Sequence, residues 1–203
     1  MKKLALITTL LLTGCANHPL VHQDSHPVDE RLVEKVFIGA PGVLGMEGSS
    51  VRLNQDWVLT VGHNWPMLLA RDVTYHPACD VALIRDSADF SATTDTAYVG
   101  EDVYLAGYPA LTTLSVSKGK VLNDFIITGQ DCLYTATSNS AMGGMSGGGA
   151  FDSDGNLVGV NIGFANGIVN WSDGASFDSP AIILTIYAIQ GWIEEVTGYD
   201  PIK

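Results

Sequence analysis

Short apolar runs separated by turn residues dominate the chain from residue 33 onward, and they constrain its fold more than any other feature. Most runs have about four to eight residues and are rich in β-branched and aromatic side chains, which is typical of strands. The turns between them draw on 22 glycines. We therefore predict an all-β barrel or sandwich. The runs lie at residues 51–53, 57–61, 81–84, 103–106, 125–128 and 133–137.

Two local patterns near the C-terminus add a hairpin and a helix. Residues 153–156, Ser-Asp-Gly-Asn, separate two apolar runs and predict a tight β-hairpin. The apolar residues from Ile186 to Val196 fall at helical spacing, and Gly198 follows them. We predict a helix over 186–197.

The first fourteen residues have the pattern of an export signal rather than of a folded element. Two lysines precede an apolar run over residues 4–12, which is shorter than the roughly 20 residues of a membrane-spanning helix. Residues 12–15, Leu-Thr-Gly-Cys, resemble a bacterial lipobox, in which the signal is cut before the cysteine and the thiol is lipidated. The alternative is an ordinary secretory signal cut near Ala16. The resemblance implies a lipoprotein signal peptide over 1–14 and a lipid on Cys15.

The expected anchor also bears on location and charge. Ala16 stands where an aspartate would mark retention at the inner membrane, so resemblance to Gram-negative lipoproteins favours the outer membrane, facing the periplasm. Such proteins carry several acyl chains, as stable anchoring requires. Removing residues 1–14 takes away two lysines, so the net charge changes from −12 to −12 − 2 = −14. An acidic protein is not attracted to nucleic acid or to anionic lipid headgroups.

Residues 15–33 follow the signal and are polar, with many His, Pro and Asp residues. This composition predicts a flexible tether before a folded domain over 34–203. His18, His22 and His26 recur at every fourth position. No cysteine or close carboxylate completes a metal site there, and two prolines interrupt any helix. We expect no metal and no other cofactor.

Three segments bring together residue types that serve nucleophilic catalysis. The run at 57–61 leads into His63, and histidine is the usual general base near neutral pH. Asp80 opens the run at 81–84, where a partly buried carboxylate can orient an imidazole. Ser146 lies in Gly-Met-Ser-Gly-Gly, and such a backbone can turn sharply and aim two N–H groups at one spot.

The order of these residues selects among architectures that share this triad. Gly-x-Ser-x-Gly also matches the nucleophile elbow of α/β-hydrolases, but their histidine follows the serine, and all five histidines here lie at or before residue 76. The subtilisin order needs a parallel sheet with alternating helices, which this chain lacks. The order His63, Asp80, Ser146 remains. His76 is a rival base without the strand-end setting, and Asp72 is the reserve acid.

Together the segments resemble the chymotrypsin/trypsin-like serine peptidases over roughly residues 35–197. The resemblance implies two six-stranded antiparallel β-barrels, roughly 34–105 and 106–185, with the site between them. The interval from His63 to Asp80 is short (80 − 63 = 17 residues), so we expect an abbreviated first barrel. Landmarks of the bacterial branch are Gly-Tyr-Pro at 107–109, Gly-Lys-Val at 119–121 and Val-Gly-Val-Asn at 158–161.

The same resemblance implies a role for each site residue in cleaving a protein or peptide substrate. Ser146 attacks the carbonyl, His63 transfers the proton, Asp80 orients His63, and the N–H groups of Gly144 and Ser146 hold the oxyanion. Animal members carry an aspartate before the serine that pairs with a newly cut N-terminus. Met145 stands there in this chain, so we expect no activating cut and full activity without the tether.

The resemblance also implies the pocket for the side chain before the scissile bond. No acidic residue lies between 131 and 146, so an entering Lys or Arg finds no counter-charge. We expect small or medium uncharged side chains there, unless Asp173 or Asp178 folds into the pocket. The implied pocket residues are Ser140 and Ala141 at the base and Asn161 and Gly163 in the wall.

Two cysteines remain beside Cys15, and two other functions stay open. Cys79 and Cys132 form either a disulfide across 132 − 79 = 53 residues or two buried thiols.

A catalytically silent binding module on the same fold is one alternative function. An esterase-type acyl hydrolase that uses the same triad is the other.

Overall fold

The structure is a computed structural model that describes residues 16–40, 44–126 and 131–202. Within them the chain forms a five-stranded sheet, a closed six-stranded barrel, a two-stranded ribbon and one α-helix. The predicted all-β class with a C-terminal helix is confirmed. The elements are β1 Val33–Ala40, β2 Leu44–Arg52, β3 Trp57–Thr60, β4 Val73–Tyr75, β5 Ala82–Arg85, β6 Asp102–Gly107, β7 Ser115–Ile126, β8 Leu133–Thr137, β9 Gly149–Phe151, β10 Leu157–Phe164, β11 Ile168–Asn170, β12 Ser176–Asp178, β13 Ala181–Thr185 and α1 Ile186–Thr197.

The first five strands form an antiparallel sheet in the order β1-β2-β3-β5-β4. Val51, Leu59 and Leu83, on its three central strands, are fully buried in the main core. Burying an aliphatic side chain of this size stabilises a fold by roughly 1.5–3 kcal/mol. The apolar face of the sheet therefore fixes the position at which β3 ends.

This sheet is the abbreviated first barrel, and it does not close. Six strands were expected, whereas the described residues contain five in this half. The interval between β3 and β5 holds only a 3₁₀ helix, Gly62–Met67, and the short strand β4. An interval of that length has no room for a further hairpin, so the short spacing of His63 and Asp80 correctly indicated a reduced barrel.

The second barrel is complete and runs in the order β10-β13-β8-β7-β6-β9. Closure leaves no strand edge unpaired. The predicted hairpin at 153–156 joins β9 to β10, which pair antiparallel. The boundary between the two halves differs from the expected position near residue 105, because β6, Asp102–Gly107, already pairs with β7 and β9.

Helix α1 is the last element of the fold, and it spans the predicted residues 186–197. The Thr185 side chain accepts a hydrogen bond from the N–H of Ala188 and caps the first turn. Gly198 ends the helix in the left-handed region, with φ 69°, where a side chain would be strained. Ile189 and Ile193 are buried against the main core. Among the helices of the described ranges, none is long and apolar enough to cross a membrane.

Residues 16–32 lie along the second barrel and differ from the free tether that their composition predicted. The N–H of Gln23 donates to the carbonyl of Val116 at 2.8 Å, and Nδ1 of His22 accepts the N–H of Val116 at 3.2 Å. Val28 is buried in the main core. The prediction of a flexible tether was wrong because backbone hydrogen bonds, more than burial of apolar side chains, hold this segment in place.

The recurring histidines of this segment have separate partners. Nε2 of His18 lies 3.1 Å from the carbonyl oxygen of Asp178, and His22 contacts β7. Nε2 of His26 lies 3.5 Å from a carboxylate oxygen of Glu30. In the part of the chain that the structure describes, no three metal-ligating side chains converge.

A disulfide between Cys79 and Cys132 joins the two halves of the molecule, with 5.3 Å between the Cα atoms. Cys79 precedes β5 in the first sheet, and Cys132 precedes β8 in the barrel. Both residues are buried. The pairing that the sequence left open is therefore present, and it lies directly beside Asp80.

We predict that loss of this disulfide lowers the free energy of unfolding by about 4 kcal/mol, because a 53-residue loop regains chain entropy in the unfolded state. Urea unfolding with and without reductant measures the change. The double variant Cys79→Ser/Cys132→Ser is the control, since it should not respond to reductant. A parent protein that is shown to be reduced and yet unfolds at the same urea concentration contradicts the prediction.

Candidate active site

His63 lies just after β3, on the 3₁₀ helix Gly62–Met67, and is held by Asp80. Nδ1 of His63 is 2.6 Å from Oδ2 of Asp80, and the backbone N–H of His63 donates to Oδ1 at 2.8 Å. The histidine side chain remains 49% exposed. One carboxylate thus fixes both the backbone and the ring, while the other ring nitrogen stays accessible for proton transfer.

Two opposing effects set the pKa of Asp80. Burial raises the pKa, but hydrogen bonds from the His63 side chain and from the N–H groups of His63 and Gly62 outweigh burial and hold the pKa below its usual value. Asp80 is therefore ionised at neutral pH. A partly buried anion next to Nδ1 stabilises an imidazolium and selects the tautomer with its proton on Nδ1.

The rival base and the reserve acid have surroundings that differ from those of His63 and Asp80. Nδ1 of His76 accepts the N–H groups of Ala78 and Cys79, and its ring packs edge-on against Trp192. Burial lowers the pKa of His76, so it remains a neutral acceptor that shapes the turn before Asp80. The Asp72 carboxylate is exposed, and within the described residues it makes no hydrogen bond or ion pair.

Ser146 lies in a glycine-rich turn, and two positions of this turn require glycine. Gly144 has φ 97°, and a Cβ there would lie 2.6 Å from the backbone of Tyr108 and Ala110. Gly147 has φ 92°, and a Cβ there would also meet neighbouring backbone. The turn therefore packs tightly against its surroundings.

The backbone N–H groups of Gly144 and Ser146 are free to bind an anion. Neither donates a hydrogen bond to any group in the described part of the chain. Both residues are only partly buried. A pair of unpaired donors beside a serine is the arrangement that stabilises a tetrahedral oxyanion, and each donor contributes about 3–4 kcal/mol to lowering the barrier.

Contacts between the two halves link the backbone of Ser146 to Ser49 and to the residue after His63. The carbonyl oxygen of Ser146 accepts the N–H of Ser49 at 2.9 Å and Nδ2 of Asn64 at 3.1 Å. Asn64 directly follows His63. Within the described ranges no hydrogen bond joins Oγ of Ser146 to the His63 ring; in unliganded enzymes this bond is often long and tightens with substrate.

A family model described as a trypsin-like peptidase domain matches residues 67–160, which include Asp80 and Ser146. Over these residues the chain is similar to trypsin-like peptidases. A search among curated proteins finds no matching sequence.

Several solved protease structures share the fold of this chain. The active form of the Rv3671c protease from M. tuberculosis has a TM-score of 0.65 and 19% identity, over 86% of this chain and 84% of that one. The MamO protease domain from Magnetospirillum magneticum has a TM-score of 0.58 and 18% identity, over 79% and 95%. An HtrA-type protease, AlgW, with a tripeptide has a TM-score of 0.60 and 18% identity, over 82% of this chain and 60% of that one.

The structure also contains polar residues near the site that the sequence did not reveal. Oγ of Ser49 donates to the carbonyl of Gly144 at 2.8 Å and accepts the N–H of Tyr108. Nδ2 of Asn64 also contacts Oγ1 of Thr60 at 3.0 Å. The sequence marks these residues only as small polar residues at buried strand and turn positions. Their hydrogen-bond partners are up to 95 residues away, so the sequence does not identify them.

The four expected pocket residues differ in their surroundings. Oγ of Ser140 donates to the carbonyl of Pro19, and Ala141 is buried in the barrel interior. Asn161 is 1% exposed, and its Nδ2 donates to the carbonyl of Met145, so its side chain belongs to the core. The side chains of Ser140 and Asn161 are thus held by hydrogen bonds, and Ala141 carries only a methyl group.

Gly163, the fourth expected pocket residue, does lie beside the serine. A Cβ at Gly163 would be 3.9 Å from Oγ of Ser146, its only near neighbour. A cleft of about 380 Å³ opens next to His63. It is lined by His63, Ala78, Cys79, Asp80, Tyr134, Ile162 and Ile182.

Proposed function

We propose that the protein is a serine endopeptidase that cleaves peptide bonds through an acyl-enzyme, with Ser146 as nucleophile, His63 as base and Asp80 as orienting acid. The observation that carries this proposal is the 2.6 Å contact between Oδ2 of Asp80 and Nδ1 of His63, next to a serine whose turn offers two unpaired N–H groups. The trypsin-like fold supports the same function.

The proposed reaction uses these groups in two steps. Nε2 of His63 takes the proton from Oγ of Ser146, and Oγ adds to the peptide carbonyl. The oxyanion binds the N–H groups of Gly144 and Ser146; His63 then protonates the leaving amine, and an acyl-Ser146 ester remains. A water molecule, deprotonated by His63, hydrolyses the ester and restores Ser146. Throughout, Asp80 stabilises the charged ring.

Labelling with a fluorophosphonate tests this proposal against its alternatives. A catalytically competent triad should attach one phosphonyl group to Ser146, identified by mass spectrometry of the tryptic peptide. A silent binding module leaves Ser146 unlabelled. An esterase is labelled but cleaves ester substrates and leaves matched peptides intact, so the two substrate types are compared on the same preparation.

We also propose that Cys15 carries a lipid that anchors the protein to the bacterial outer membrane, facing the periplasm. The support is the lipobox-like sequence after a basic, apolar segment. Cys15 lies outside the described residues.

For this anchor we predict that Cys15→Ser stalls processing or moves the protein from the membrane to the soluble fraction. Fractionation without detergent, followed by immunoblotting, measures the distribution. Cys79→Ser/Cys132→Ser serves as the matched control, because it removes two thiols and keeps the lipobox. A parent protein found wholly in the soluble fraction contradicts the anchor.

For specificity we propose that the side chain before the scissile bond is uncharged and small or medium in size. The carboxylates that could fold into the pocket are engaged elsewhere: Asp173 accepts the N–H of Ala175, and Asp178 accepts Oγ of Ser179. A cationic side chain would thus be buried without a counter-charge, which costs several kcal/mol.

We predict that cleavage sites in a denatured protein mixture fall mainly after small or medium uncharged residues. Mass spectrometry of the new termini measures the distribution, and the Ser146→Ala variant gives the background. A majority of cuts after Lys and Arg, or after Glu, contradicts this prediction.

A further inference from the structure

The residues just after Cys15 lie against the loop that leads into Ser146. Ala16 forms an isolated antiparallel bridge with Met142. Oγ of Ser140 donates to the carbonyl of Pro19 at 3.1 Å. Residues 16–19 thus run beside residues 139–142, more than 120 positions away in sequence.

Asn17 is the centre of this contact. Its backbone N–H donates to the carbonyl of Ala141 at 3.2 Å, and its Oδ1 accepts the N–H of Ala141 at 2.7 Å. Its Nδ2 donates to the carbonyls of Asn139 and Ser179, both at 2.9 Å. Oδ1 also accepts the N–H of His18. Both donors and both acceptor positions of this side-chain amide are therefore used.

The loop depends on Asn17 at one position in particular. Elsewhere it is held by the barrel and the first sheet: Ser117 donates to the carbonyl of Ser140, and Ser49 donates to the carbonyl of Gly144. Among the described residues, both the N–H and the carbonyl of Ala141 have Asn17 as their partner. An alanine at position 17 keeps the bond to the carbonyl but leaves the N–H of Ala141, a residue that is 1% exposed, without its hydrogen bond.

We propose that residues 16–19 are a latch that holds the loop from Asn139 to Ser146 in its reactive arrangement, and that Asn17 is the positioning residue of this latch. The catalytic part of this inference rests on the proposed function. The loop carries the N–H groups of Gly144 and Ser146, so disorder at Ala141 reduces the fraction of molecules in which those donors are aligned.

The latch reverses the expectation that the N-terminal segment is dispensable. The proposed signal cleavage before Cys15 leaves Asn17 in place. A cut between residues 20 and 30 separates the latch from the domain, so trimming should lower activity rather than raise it.

The test uses the full-length protein and two matched amide variants, Asn17→Ala and Gln23→Ala. Gln23 lies in the same segment, but its side chain makes no hydrogen bond within the described residues, so it is the control. Hydrogen–deuterium exchange of the peptide 139–146 should be at least about tenfold faster in Asn17→Ala and unchanged in Gln23→Ala. This readout needs no catalysis, and equal exchange in both variants overturns the latch.

A second readout separates positioning from simple stability. In Asn17→Ala, kcat and the rate of Ser146 phosphonylation should both fall at least about tenfold at temperatures well below its Tm, with KM changed less. A variant with a lower Tm but an unchanged kcat assigns Asn17 a structural role only and overturns the proposal. If the parent protein itself is not phosphonylated, the proposed function fails, and amide exchange still decides whether the latch holds the loop.

Discussion

Ser146→Ala should reduce peptide cleavage by about 10⁴- to 10⁶-fold, the largest effect expected of any single change. The substitution removes the nucleophilic oxygen and keeps the Cβ atom. It also keeps the carbonyl that accepts Ser49 and Asn64. His63→Ala should be about as damaging, because nucleophile and base act as a unit.

The fold should survive the loss of the hydroxyl. Oγ of Ser146 makes no hydrogen bond within the described residues, so the free energy of unfolding should change by no more than about 0.5 kcal/mol. Initial rates on a quenched peptide substrate, with urea unfolding in parallel, measure both quantities. Ser172→Ala, at an exposed serine without side-chain hydrogen bonds, is the matched control. A Ser146→Ala protein within tenfold of parental activity would falsify the assignment of the nucleophile.

Much of this architecture follows from local sequence patterns. The runs at 57–61 and 133–137 became β3 and β8, and the spacing from Ile186 to Val196 predicted α1, because each pattern reflects burial of one face of a single element. The strands β4, β11 and β12 were not predicted. They have three residues each, which is too short for any period to be visible.

The residues of the candidate site likewise fall into those that the sequence could predict and those that it could not. His63, Asp80 and Ser146 were recognisable because each has a local setting and their order is diagnostic. Asn17 was not, since its partners Asn139, Ala141 and Ser179 lie more than 120 positions further along the chain. Hydrogen bonds to backbone groups have no sequence signature, because any residue at the partner position offers the same N–H and C=O.

Hydrogen bonds to backbone groups of distant residues also join the two halves of the molecule. Ser49 and Asn64 connect the first sheet to the serine turn through backbone atoms, and the disulfide adds a covalent link. The residues proposed to perform the chemistry are therefore apparent from sequence, whereas those proposed to align them depend on the folded arrangement of distant segments.

Asp80→Asn should lower kcat/KM by about 10⁴-fold, because an amide cannot satisfy both contacts that the carboxylate makes. Oδ1 of Asp80 accepts the backbone N–H of His63, and Oδ2 faces Nδ1 of the ring. If the amide oxygen keeps the backbone contact, its NH₂ group faces Nδ1 and forces the proton onto Nε2, which can then no longer accept the serine proton. If the amide turns over, its NH₂ group meets the backbone N–H.

The matched control for this prediction is Asp72→Asn, which makes the same chemical change at an exposed carboxylate without a hydrogen bond in the described residues. Its kcat/KM should stay within about twofold of the parent. Steady-state kinetics on one peptide substrate compare the three proteins, and the phosphonylation rate of Ser146 reports the same loss without a leaving amine. A severe loss in Asp72→Asn with a mild one in Asp80→Asn would assign the orienting acid to Asp72. Nδ1 of His63 contacts Oδ2 of Asp80, whereas the Asp72 carboxylate makes no hydrogen bond in the described residues. We therefore expect the loss to follow Asp80 alone.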